Sequence, residues 1–384
     1  MTLNLYNKQN PFYACIKERY SLSKMGAKKN TQHIVIDIRG SGLTYEVGDS
    51  VGIFSQHDPE ILFKTLNAIK ATGNEMVKDK QTGEDLRLMD CLTSKYSVTD
   101  ITPKFLQEVY HRQTQPDKKH ALAQLLDETN REALKAFLGY HEIWDLLEFH
   151  YEVNFELQEF VDLLKPLLPR FYSIASSQKY VGEEIHLTIA PLEYETNGHK
   201  RRGVCTHFVC ELAELQAPIV PIFIQPTHNF RLPQDHHTDL IMIGPGTGVA
   251  PFRAFLQERL LFAKSKGKHW LFFGEKQRDF DFYYENDWNS YSEHGHLRLE
   301  LAFSRDQEHK IYVQHRMLEK GQELYEWLIG GAFLYVCGDA ARMAKDVEAT
   351  LQQILQEYGK MDAVTSREYI KKMRQDKRYL RDVY

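Results

Sequence analysis

The stretch IMIGPGTGVAP (241–251) decides the architecture of the C-terminal part of the chain. An apolar run ends at Gly244, glycines return at 246 and 248, and Pro251 stands where a helix can begin. Glycines let a backbone approach a pyrophosphate closely, and the free amides and dipole of the next helix attract its charge. A plain tight turn uses the same residues. The position between strand and helix is what favours a dinucleotide phosphate.

Downstream of this turn the same alternation repeats. The runs LIMIG (240–244), HWLFFG (269–274), LRLELAF (297–303) and FLYVCG (333–338) alternate with helical patterns. The strongest pattern is PFRAFLQERLLFAKSKG (251–267), where Phe252, Phe255, Leu256, Leu260 and Ala263 share one face. Continuous apolar strands separated by helices predict a parallel sheet covered on both sides, so residues 236–384 are expected to form a Rossmann-like parallel α/β domain.

Upstream, the period is different. HIVIDI (33–38) alternates Ile34, Ile36 and Ile38 with polar residues, and LTYEVGDSVGIF (43–54) follows a glycine-containing turn, so 1–55 reads as β. DPEILFKTLNAIKATG (58–73) then sets Ile61, Leu62, Leu66 and Ile69 on a helical stripe, with Pro59 at its start and Gly73 at its end. Helical patterns recur at 121–140 and 154–164, which makes 56–165 a helical connecting insertion. Short β runs return in RFYSIASS (170–177), EIHLTIAPLEY (184–194) and APIVPIFIQ (217–225). The expectation is an antiparallel β-barrel built from 1–55 and 166–235, interrupted by helices.

Composition limits the function classes. The chain has 384 residues, 42% hydrophobic and 12% aromatic, which suits roughly two or three folded domains. A net charge of −5 gives the whole molecule no attraction for nucleic acid or anionic membrane. The local runs KRR (200–202) and DKKH (117–120) read as solvated surface or turn. Five scattered cysteines (Cys15, Cys91, Cys205, Cys210 and Cys337) read as reduced thiols. No apolar run has the length of a signal or a span, so the expected location is cytoplasmic. His236 with His237, and His294 with His296, lack partner acids or thiols at metal spacing, and no metal is expected.

Two signals compete over which dinucleotide binds. Glu275, just past the second strand, is where an acid would hold a ribose 2′-hydroxyl. SRDQEHKIYVQ (304–314) instead offers Ser304, Arg305, Lys310, Tyr312 and Gln314, a set of cations and neutral donors that suits a 2′-phosphate and favours NADPH over an ordinary charged loop. In RFYSIASS, Arg170 stands beside two aromatics, a hydroxyl and small residues. In RGVCTHF (202–208), Gly203, Val204, Cys205 and Thr206 form a second small-residue turn. Each serves equally as edge-strand packing or as a cofactor contact.

In this order, RFYSIASS, GVCT, GPGTGVAPFRAFLQER, SRDQEHKIYVQ, YVCGDAARMAKDV and the terminal RYLRDVY resemble the ferredoxin–NADP reductase module of the diflavin reductases, over about Asn10 to Tyr384. HNFRLP (228–233) and the final Tyr are most similar to the branch serving sulfite reduction. The resemblance implies FAD contacts at Arg170, Tyr172, Ser173 and Tyr194, with Gly203, Val204 and Thr206 at the FAD pyrophosphate. It places Ser304, Arg305, Lys310, Tyr312 and Gln314 at the 2′-phosphate end of NADPH. Gly246 and Thr247 would meet the pyrophosphate, with Asp339 and Met343 close by. Tyr384 would stack on the flavin and yield to nicotinamide, while Ser173, Cys337 and Asp382 would surround the hydride path.

Family members carry an FMN-binding flavodoxin domain ahead of this module, whereas Met1 stands nine residues before NPF (10–12). The expected function is therefore an NADPH-dependent FAD reductase that hands electrons to a separate acceptor: a flavodoxin-like domain, a ferredoxin or a sulfite reductase haemoprotein. Alternatives are a single-flavin flavodoxin or ferredoxin reductase and a non-catalytic dinucleotide-binding subunit.

Overall fold

The computed structural model describes residues 5–261 and 267–384. The chain forms two compact units: one comprises the chain up to Gly52, Phe171–Pro191 and Glu214–Tyr384, the other Ile53–Arg170 and Leu192–Ala213.

The first unit holds two sheets. The six-stranded sheet runs in the order Arg170–Ser173, Ser50–Ile53, Pro218–Gln225, Phe12–Ser21, Gln32–Asp37, Glu184–Ile189. Its central pairs are antiparallel, with Ile16 opposite Ile36 and Ile34 opposite Leu187. The strand predicted across 43–54 forms only over Ser50–Ile53. Gly48 has a positive φ of 95°, and a Cβ there would meet the Phe230 carbonyl oxygen at 1.9 Å, so the segment before it turns instead of pairing.

The second sheet is parallel, in the order Arg298–Phe303, His269–Glu275, Leu240–Ile243, Phe333–Gly338, Tyr379–Val383. In chain position this is 3-2-1-4-5, a doubly wound arrangement. Strand residues alternate between faces. Ile241, Ile243, Trp270, Phe272, Leu334 and Val336 pack under the helices that follow Tyr312, whereas Leu240, Met242, Leu271, Phe273 and Tyr335 pack with Phe252, Phe255 and Trp288. The helix Ala250–Leu260 carries Pro251 in its first turn, as expected. It is enclosed on more than the predicted face, since Ala254, Gln257 and Arg259 are also buried; Ala263 lies outside the described residues.

The terminal Tyr379–Val383 is a strand of this sheet, with Cys337 opposite Asp382 and Gly338 opposite Val383. Tyr384 N–H donates to the Gly338 carbonyl at 3.1 Å, and Ala340 N–H donates to that of Tyr384 at 3.0 Å. Chain ends fray unless tied down; this one is tied by ladder bonds.

The second unit is helical. Its core gathers Leu62, Leu66, Leu92, Phe105, Leu106, Ile143 and Phe160. Asp58 caps the helix Pro59–Ala68 and Thr102 caps Pro103–Arg112, each followed by proline at the first helical position. The continuous helical pattern of 121–140 is broken in two: Pro116–Leu126 ends at Asp127, whose extended backbone and side-chain bond to Thr129 N–H restart the chain as Arg131–Tyr140. The segment 192–213, expected with the barrel, clusters here. Its hairpin Glu193–Thr196 and His199–Arg202 carries Arg201, which is only 2% exposed and pairs with Glu142 and Asp145. The KRR run is thus not all solvated surface, because a buried guanidinium needs carboxylate partners to offset its lost hydration. No helix of the described residues is long and apolar enough to cross a membrane.

Candidate functional site

The glycine turn at the end of Leu240–Ile243 is built by close approach. A Cβ on Gly248 would stand 2.2 Å from the Cys337 carbonyl oxygen, and one on Gly244 would stand 2.5 Å from the Phe252 ring. Gly246 has a positive φ of 59°, and the nearest atom to a Cβ there is Glu275 Oε1 at 3.7 Å. The inner glycines are therefore required by packing, while Gly246 faces an opening.

That opening is a cavity of about 500 Å³, and it collects Gly246, Ser304, Arg305, Lys310, Tyr312, Gln314, Asp339 and Met343 from separate loops. Among the described residues, Arg305 and Lys310 are exposed and form no ion pair. Two unpaired cations beside open backbone fit a doubly charged phosphate. Gln314 donates to Asp346 at 3.2 Å. The Asp339 carboxylate, which lines the cavity beside Met343, also accepts the N–H groups of Ala341, Arg342 and Met343, which shape the turn and hold it below the usual carboxylate range. Sequence reading missed Lys276, Arg342 and Asp346, which also line the cavity; Arg342 was legible as a cation inside YVCGDAARMAKDV.

Glu275 lies in the same cavity, half-buried, accepting the Lys276 N–H at 2.6 Å and the Tyr283 hydroxyl at 3.3 Å. Burial, followed by the charge of Asp281, raises its carboxyl above the ordinary range.

A second group forms where the terminal strand meets Phe333–Gly338. The Ser173 hydroxyl donates to Asp382 Oδ2 at 2.6 Å, and Cys337 Sγ lies 3.9 Å from the same oxygen. Strand register brings Cys337 and Asp382 side by side. Cys337 is fully buried, and burial with the Asp382 charge pushes its thiol well up, so it stays protonated. The Tyr384 hydroxyl is 2.9 Å from Thr247 Oγ1, and its ring is 65% exposed. All four residues expected at the hydride path, Ser173, Cys337, Asp382 and Tyr384, thus belong to one compact unit, with Tyr172 on the strand that carries Ser173.

The second unit presents Arg170, exposed at the start of that strand, and the hairpin residue Tyr194, 45% exposed. Gly203 is fixed there by its N–H bond to the Leu192 carbonyl at 2.8 Å. Thr206 accepts Leu192 N–H and donates to the Gly203 carbonyl. The helix starting at Val204 follows at once. This is a rigid turn at a helix start, a geometry that suits a phosphate oxygen.

A model of the FAD binding domain matches residues 5–208, more than half of the chain, and a model of the oxidoreductase NAD-binding domain matches 242–349. The chain belongs to the FAD-binding-domain family. The two models describe FAD-binding and NAD-binding oxidoreductase domains. The chain is 40% identical over 380 residues to the sulfite reductase [NADPH] flavoprotein alpha-component of Bacillus subtilis (strain 168), covering 99% of this chain and 62% of that protein. It is likewise 40% identical to the Vibrio cholerae El Tor protein of the same description, covering 60% of it, and 39% identical to that of Shewanella sp. (strain ANA-3), covering 62%. The chain spans about three-fifths of the length of these curated relatives.

Proposed function

We propose that this chain oxidises NADPH, passes the electrons through FAD to a separate protein acceptor, and serves as the flavoprotein of an NADPH-dependent sulfite reductase. The observation that carries the reading is the cavity that joins unpaired Arg305 and Lys310 to the glycine turn, in the same compact unit as the Ser173–Asp382 pair. When bound, NADPH supplies a hydride and FAD accepts it, releasing the electrons one at a time.

The chain's own residues bind and orient. Arg305 and Lys310 hold the 2′-phosphate by charge, with Ser304, Tyr312 and Gln314 as neutral donors, and Gly246 and Thr247 take the pyrophosphate. Asp382 offers a fixed negative charge toward the positive charge that grows on nicotinamide, and it orients the Ser173 hydroxyl. Tyr384 would cover the flavin ring and would move aside for nicotinamide. Stacking worth about 0.5–1.5 kcal/mol is weak enough to be displaced. Tyr172, on the strand that carries Ser173, would contact the flavin. We place the reaction in the cytoplasm, where NADPH is supplied.

The test is spectroscopic. The purified protein should be yellow, and NADPH added without oxygen should bleach it. Reoxidation is then followed with a sulfite reductase haemoprotein, a flavodoxin and a ferredoxin as acceptors. Fast reoxidation by the haemoprotein supports the sulfite assignment; reoxidation by flavodoxin or ferredoxin alone moves the chain to the single-flavin reductases. Bound flavin that NADPH does not bleach would falsify the catalytic reading.

A further inference from the structure

The helix Ala250–Leu260 starts directly from the glycine turn Gly246–Val249, and its flank carries a polar row. Arg253 and Gln257, one helical turn apart, and the adjacent Glu258 all reach the segment that follows Ser173. Arg253 Nη1 donates to the Ala175 carbonyl at 3.0 Å, Gln257 Oε1 accepts the Ser177 N–H at 3.0 Å, and Glu258 accepts the Ser177 hydroxyl and Lys179. Asp287 fixes Arg253 from behind at 2.9 Å.

Gln257 is only 2% exposed and Ser177 is fully buried. A buried amide side chain costs stability unless it is bonded, and here it satisfies a backbone N–H in the stretch between the strands Arg170–Ser173 and Glu184–Ile189. The other end of the helix is equally fixed, because Gly248 packs directly on the Cys337 carbonyl. One rigid element therefore carries the dinucleotide turn at its start and holds the Ser173 segment along its flank.

We propose that this helix is a spacer and that Arg253, Gln257 and Glu258 are positioning residues, setting the distance between nicotinamide and flavin without touching either. The inference rests on the function proposed above. Hydride transfer is steep in distance, and a displacement of about 1 Å costs on the order of a hundredfold in rate. Losing the staple should lower the limiting rate and leave binding intact.

The experiment compares Gln257→Ala with Gln257→Glu, which keeps an acceptor oxygen. Flavin reduction by saturating NADPH, the NADPH Kd, FAD content and amide hydrogen exchange at Ser177 are measured on the intact protein. Gln257→Ala is expected to exchange Ser177 at least tenfold faster and to reduce flavin at least tenfold more slowly, with NADPH Kd and FAD content within twofold of the parent. Gln257→Glu should restore both. A reduction rate within twofold of the parent despite faster Ser177 exchange overturns the proposal, as does a loss in Kd as large as the loss in rate. If Gln257→Ala does not fold, Glu258→Ala carries the same two outcomes with an expected loss of at least threefold. A parent protein that NADPH never reduces overturns the proposed function itself, a result distinct from a normal rate in the variant.

Discussion

Two ends of the first compact unit are built on opposite plans. At the phosphate end, Arg305, Lys310 and Tyr312 are exposed on a loop around a cavity of about 500 Å³, and among the described residues the two cations have no acidic partner. At the other end, Cys337 and Asp382 are on adjacent strands and Ser173 reaches them from the six-stranded sheet, Asp382 Oδ2 meeting both the hydroxyl and the thiol, which is fully buried. Exposed cations lose little on waiting for a ligand, whereas a group that must meet developing charge gains from being fixed in advance. On the function proposed above, this difference would give affinity to one end and rate to the other.

The sharpest way to break this comparison is Asp382→Asn, which keeps the shape and removes the charge. Flavin reduction in stopped flow should slow by about 10²–10³-fold, with NADPH Kd changed less than threefold. Arg305→Ala attacks the other end. It should weaken NADPH binding by roughly 1.5–3 kcal/mol, the range for a charged hydrogen bond, and leave NADH within twofold. Equal losses for both cofactors in parallel titrations would remove Arg305 from the 2′-phosphate.

Tyr384 links the ends, since its hydroxyl meets Thr247 in the glycine turn. Tyr384→Ser should raise kcat/KM for NADH by about two- to tenfold, the range of one stacking contact. Unchanged steady-state kinetics with both cofactors would mean that the ring covers nothing. The smallest effect belongs to Glu275. Its carboxyl has a raised pKa, so it is neutral below that value and charged above it, where it opposes the cofactor phosphates. Glu275→Gln should therefore tighten NADPH by about two- to threefold at pH 8, with the gain shrinking as the pH falls and the carboxyl takes up its proton. The readout is the difference in Kd between parent and variant at each pH, which cancels the titration of the phosphate itself.

Periodicity made much of this legible. The four apolar runs of 240–338 became the parallel strands expected of them; three are buried on both faces and show no polar alternation, while LRLELAF, with Arg298 and Glu300 between leucines, forms the sheet edge. The cavity residues of 304–314 were legible from charge and hydroxyl content. Three features were not. The resemblance grouped Asp382 with Cys337, but no local pattern marks YLRDV as a strand; only the register with Phe333–Gly338 makes it one. Arg201 looks like one of three surface cations until Glu142 and Asp145, more than fifty residues earlier, enclose it. Gln257 sits in an amphipathic pattern that assigns it to solvent, yet it is buried against Ser177, a contact across 80 residues. Each depends on a long-range pairing that local pattern does not encode.

The division of labour is tested most directly by the limiting rate of anaerobic flavin reduction in Arg305→Ala at saturating NADPH. A protein whose cations only hold the phosphate should reach the parent rate within about twofold once enough NADPH is supplied. A plateau as low as that of Asp382→Asn would contradict it, because the phosphate end would then be setting the chemistry and not only the affinity.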